Sequence, residues 1–159
     1  MANEVNGQEN TVDSAANPSS EVLLDVKNLK TYFHLASGTA RAVDGVSFTL
    51  SRGETLGVVG ESGSGKSMMA KSLIRLFEAN ARIEEGSIEF EGRDVLSFGK
   101  KELRDYRGRD IGMIFQDPMT SLDPVFKVGQ QMTENLRIHR NMSKAEAREV
   151  AIAALRSVN

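Results

Sequence analysis

The stretch Gly60-Glu61-Ser62-Gly63-Ser64-Gly65-Lys66-Ser67 constrains this chain more than any other. It fits G-x-x-x-x-G-K-[ST], in which a loop between a strand and a helix turns its backbone N–H groups around the phosphates of a nucleotide. Gly60, Gly63 and Gly65 can take backbone angles that a side chain forbids, and they leave room for a phosphate against the main chain. Lys66 supplies a point charge to the β- and γ-phosphates, and the Ser67 hydroxyl is a ligand for Mg²⁺. The flanks agree with that geometry. Glu54 to Val59 is a short, largely apolar run of buried-strand type, and a helix is expected from Met68, with Met69, Leu73, Leu76 and Phe77 on one face and Ile74 beside them.

A chain of 159 residues is long enough for one domain with a real core. Its formal net charge of −2 gives no electrostatic footprint for nucleic acid. It has no cysteine, which excludes disulfides and thiolate metal sites and fits a reducing compartment. No apolar run reaches the roughly 18 to 20 residues that span a bilayer. Residues 1–20 are rich in Asn, Ser, Glu and Ala, carry no Lys or Arg and lack an apolar core, so they are expected to be a disordered acidic tail rather than a signal peptide.

Leu23 to Phe33 and Asp44 to Leu50 have strand character and are expected to pair antiparallel, with Ser37-Gly38-Thr39 as the turn between them. Gly86 to Gly92 alternates as another strand and turns at Gly92-Arg93-Asp94. Lys100 to Tyr106 should form a short polar helix with a solvated charged face, and Ile111 to Phe115 suits a strand buried on both sides. Gln116 follows directly, in a Pro-punctuated loop at that strand's carboxyl end, where α/β sheets place ligand sites. Val128 to Ile138 is expected to be a helix. Ser143 and Glu146 form a capping box that opens a second one, whose apolar stripe Ala147, Val150, Ala151, Ala154, Leu155 and Val158 is expected to pack into a core.

With these residues in hand, the chain resembles the nucleotide-binding subunit of an ATP-binding cassette (ABC) transporter, from about Leu23 onward. The phosphate loop is shared by many families. The string from Phe115 through Gln116, Asp117, Pro118, Met119, Thr120, Ser121 and Leu122 to Asp123 and Pro124 is much more specific, and is similar to the peptide and nickel importer branch of the oligopeptide permease type. The resemblance implies an α/β fold of the P-loop NTPase, ABC type: an ATP-binding core over 21–127 that includes an antiparallel β-subdomain, and the start of a helical subdomain over 128–159. It implies ATP and Mg²⁺ as cofactors, Phe33 (with Tyr32 as its neighbour) stacking on adenine, and Gln116 touching the metal and the attacking water. The implied partners are membrane-spanning permease subunits at the loop after Gln116, a second ATP-binding subunit, and indirectly a substrate-binding protein. The implied place is the cytoplasmic face of the cell inner membrane, held peripherally.

Three parts of the family pattern are not found: a Leu-Ser-Gly-Gly-Gln-type signature, an apolar strand ending in Asp-Glu, and a switch histidine. His34 and His139 follow no such strand and are expected to be ordinary surface or loop residues. In the family all three parts lie downstream, so the chain is expected to be truncated and catalytically incomplete by itself. Two other readings are a different P-loop enzyme, such as a kinase or GTPase, and a nucleotide-binding module without catalysis. Neither an arginine-rich lid nor an Asn-Lys-x-Asp guanine reader is recognisable.

Overall fold

The computed structural model describes residues 21–116 and 121–158, so the expectation for the N-terminal tail lies outside the described residues. The chain divides into two compact units, Met1–Phe98 and Gly99–Asn159. The expected boundary between residues 127 and 128 lies inside the second.

The first unit is an antiparallel sheet carrying one helix. Strands β1 (Val22–Leu35), β2 (Gly38–Ser51), β3 (Ala81–Phe90) and β4 (Arg93–Asp94) lie in the order β2-β1-β3-β4. Leu35 pairs with Gly38 across a two-residue turn, so the first hairpin is tighter and longer than its sequence suggests. The β1–β3 ladder is irregular between Lys27 and Lys30, and Gly86 stands opposite that kink with φ +100°. A Cβ there would sit 2.5 Å from the Asn28 carbonyl oxygen, so only glycine allows the two backbones this approach. Leu24, Val26, Leu29, Ile88 and Phe90 of the sheet join Ile74, Val95 and Phe98 in the core.

Helix α1 (Lys66–Leu73) is shorter than its apolar spacing predicts. Arg75 takes a left-handed conformation, φ 52°, its N–H bonds to the Ser72 carbonyl at 2.9 Å, and the Leu76 N–H reaches back to the Lys71 carbonyl at 2.8 Å. These two bonds are a Schellman stop. The Arg75 guanidinium sustains it by donating to the carbonyls of Val95 (3.1 Å) and Phe98 (2.9 Å). Leu76, expected on the helix face, therefore lies beyond the helix and is 41% exposed.

The second unit contains α2 (Lys100–Asp105), a π-helical turn (Tyr106–Asp110), α3 (Val128–Arg140) and α4 (Lys144–Ser157). The capping box is present: the Ser143 N–H donates to the Glu146 carboxylate at 2.8 Å, and the Glu146 N–H to the Ser143 hydroxyl at 3.3 Å. The α4 stripe is only partly buried. Ala147 and Ala151 are covered, whereas Val150, Leu155 and Val158 are exposed. Of the two histidines, His34 is exposed at the surface as expected, and only His139 departs from expectation. His34 lies in β1 and meets Glu84 at 2.6 Å, while the His139 ring packs over Gly108, where a Cβ would collide with it, leaving Nδ1 buried with no hydrogen-bond partner.

Two expected strands are not strands here. Glu54 to Val59 and Ile111 to Phe115 join no strand ladder among the described residues, with Val59 and Ile114 almost wholly exposed. Apolar side chains supply a face to bury, but a strand also needs a neighbour's N–H and C=O groups on its edge.

Candidate functional site

The phosphate loop is placed by the sheet on one side and α1 on the other. Gly65 is the N-cap of α1 with φ 93°, and a Cβ on it would collide with the carbonyl oxygen of Ala42 in β2. Position 65 therefore demands glycine twice, for its left-handed angle and for the approach of β2. The Met69 N–H donates to the Gly65 carbonyl at 2.8 Å, closing the first helical turn onto the loop, and the Ser64 N–H donates to Glu61 at 3.2 Å within it. The loop folds around the Lys66 ammonium, which donates to the carbonyls of Gly60 (2.8 Å) and Glu61 (2.7 Å) and lies 3.4 Å from the Ser64 hydroxyl.

Ser67 is exposed at the second position of α1. The N–H groups of the first helical turn have no intrahelical acceptor, and the helix dipole adds partial positive charge there. No acidic residue stands in that turn to oppose an anion. Lys66, the glycine backbone and the Ser67 hydroxyl thus gather at one end of one helix. Beside them a cleft of about 620 Å³ is lined by Ala42, Asp44, Ser47, Val58, Gly60 and Met69, among others.

Phe33 is half-buried in β1, between Ala40 of β2 and Ala81 of β3, and does not line that cleft. Its neighbour Tyr32 reaches the cleft wall by donating its phenol to Asp44 at 2.6 Å, with the Arg41 guanidinium 5.5 Å over its ring. That hydrogen bond raises the Tyr32 phenol above its ordinary pKa and holds the Asp44 carboxyl below the usual range. Sequence reasoning missed Asp44; only the ladder, which places Lys30 opposite Asp44 and Tyr32 opposite Arg41, brings these groups together. Gln116 belongs to the second unit, at an exposed bend after the unpaired run 111–115. Residues 117–120 of its loop lie outside the described residues.

No three His, Cys, Asp or Glu residues among those described could hold a metal ion. A magnesium ion needs no such group when phosphate oxygens and water complete its octahedron, and the exposed Ser67 hydroxyl is a hard oxygen donor of the required kind.

Comparison with known proteins identifies the family. The ABC transporter family pattern matches residues 43–158. The oligopeptide transport ATP-binding protein OppD of Escherichia coli is 49% identical over 143 residues, which cover 90% of this chain and 42% of the relative. A probable peptide ABC transporter ATP-binding protein, y4tR of Sinorhizobium fredii, is 46% identical over 144 residues, 90% of this chain and 43% of the relative. The chain thus spans less than half the length of these relatives. Among solved structures, the ATP-binding cassette MJ0796, a dimer in a post-hydrolysis state bound to ADP and Pi, superposes with a TM-score of 0.73 over 84% of this chain and 56% of that one, at 24% identity, and so shares the fold. With its phosphate loop inside the matched region and that region covering most of its length, the chain belongs to the ABC transporter family.

Proposed function

We propose that this chain binds MgATP through Gly60 to Ser67 and forms the nucleotide-binding part of a subunit that energises the import of oligopeptides by binding and hydrolysing ATP. One observation carries the reading: the loop closes onto the N-terminus of α1 with Lys66 enfolded in it, in a chain 46% and 49% identical to proteins named for peptide transport. On binding, the Lys66 ammonium exchanges its loop carbonyls for β- and γ-phosphate oxygens, and the first-turn N–H groups take the remaining charge. Bound Mg²⁺ would neutralise charge on the phosphates, and Ser67 is the residue of this loop that would hold it. Phe33 is proposed to stack on adenine. Gln116, whose amide can both accept and donate, is proposed to meet the metal and the attacking water.

The partners proposed are membrane-spanning permease subunits, at the loop after Gln116, and a second ATP-binding subunit closing head to tail, with a substrate-binding protein acting indirectly. No helix among the described residues is long and apolar enough to cross a membrane, and the attachment proposed is peripheral, at the cytoplasmic face of the inner membrane. The test is uptake of a labelled oligopeptide by cells carrying the wild-type gene or Lys66→Ala at equal expression. Uptake that the substitution abolishes supports the proposal, and uptake that survives it contradicts it.

A further inference from the structure

The strongest polar feature of the first unit outside the loop is a pair of hydroxyls in its core. Thr31 of β1 and Ser72 of α1 are both fully buried, with their oxygens 2.9 Å apart. Ser72 also donates to the Met68 carbonyl at 2.7 Å. A hydroxyl has one proton, so the Thr31 hydroxyl donates to Ser72 and Ser72 to Met68, and the chain of donors ends satisfied. We infer that Thr31 and Ser72 are positioning residues for the phosphate loop: their hydrogen bond fixes the depth and rotation of α1 on the sheet, and so the placement of Lys66 and Ser67. This rests on the nucleotide reading of the loop.

The geometry supports it at two points. α1 touches the sheet at Gly65, against the Ala42 carbonyl, and at Ser72, against Thr31. Thr31 pairs with Val43, the residue after Ala42, so both contacts come from one strip of the β1–β2 ladder. On the helix they are two turns apart, about 10 Å along the axis. Apolar contacts such as those of Ile74 tolerate a small slide or rotation. A buried hydroxyl pair does not, because either motion strands the Thr31 hydroxyl without a partner or water, while Ser72 keeps its bond to the Met68 carbonyl.

The experiment compares Ser72→Ala, Thr31→Val, the double variant, Thr31→Ser and the core control Ile88→Val in the intact chain. Two readouts are taken: the Kd for MgATP, and amide exchange at Met69, whose bond to Gly65 reports the loop without nucleotide. Ser72→Ala and Thr31→Val should each raise Kd about tenfold, equivalent to about 1.4 kcal/mol, and should speed Met69 exchange. The double variant should be no worse than either single one. Thr31→Ser, which keeps the hydroxyl, should restore wild-type behaviour, and Ile88→Val should lower stability with Kd unchanged. Kd within about twofold of wild type in the two hydroxyl-deleting variants, or an equal rise in Ile88→Val, would overturn the inference. If the wild type itself binds no MgATP, the nucleotide reading fails separately, and Met69 exchange still decides the tether: faster exchange supports it, unchanged exchange overturns it.

Discussion

Arg75 ends helix α1 in a conformation that suits glycine, and the reason it is arginine can be tested by replacing it. The left-handed angle costs an L-residue roughly 1–2 kcal/mol. Against this, the guanidinium makes two bonds to carbonyls of Val95 and Phe98, residues that are themselves buried. Bonds to charged groups contribute about 1.5–3 kcal/mol each, and the low end applies here because Arg75 is partly exposed. Arg75→Ala keeps the strained angle and loses both bonds, for an expected destabilisation of about 2–3 kcal/mol. Arg75→Gly loses the same bonds but relieves about 1 kcal/mol of strain, leaving about 1–2 kcal/mol. Urea denaturation of the two variants and the wild type, extrapolated to water, measures both. A loss below about 0.5 kcal/mol in Arg75→Ala, or a glycine variant less stable than the alanine one, would refute the account of this helix stop.

Two further outcomes are expected. The Ser143 side chain and then its backbone N–H hold the Glu146 carboxyl below its ordinary value of 4.5, so the capping box stabilises α4 above that pH and is lost as pH falls through the lowered value. Ser143→Ala should cost about 1 kcal/mol at neutral pH, and helix content followed by circular dichroism should then fall less on acidification; an unchanged acid transition would contradict this. Phe33→Ala should weaken binding of ATP while leaving inorganic tripolyphosphate unaffected, because a stacking ring touches only the base. If Tyr32→Ala has that selective effect and Phe33→Ala has none, the adenine contact belongs to Tyr32.

What the sequence made legible was local chemistry. The spacing of Gly60, Gly65, Lys66 and Ser67 encodes a loop opening into a helix, and Ser143 with Glu146 starts α4 at the expected residue, whereas the turn expected at Gly92-Arg93-Asp94 falls at Glu91-Gly92 and leaves Arg93–Asp94 to form β4. What remained hidden depends on distant partners. Helix α1 stops at Ile74 because the Arg75 side chain finds carbonyls 20 and 23 residues away, which the apolar spacing of Leu76 and Phe77 cannot report. Ser72 looks like an interruption in an apolar face until Thr31 appears opposite it. His139 carries no sign that Gly108 makes room for its ring. The runs around Val59 and Ile114 have the composition of buried strands, but composition states what a strand could cover, not whether neighbours flank it.

The central claim is that the loop from Gly60 to Ser67 binds the phosphates of a nucleotide, and the most direct measurement is equilibrium binding of MgATP to the wild-type chain and to folded Lys66→Ala. Loss of a charge-assisted contact to the β- and γ-phosphates, about 1.5–3 kcal/mol, predicts an affinity at least roughly tenfold weaker in the variant, with a much smaller change for AMP, which lacks those phosphates. Equal affinity of the two proteins for MgATP would contradict the account.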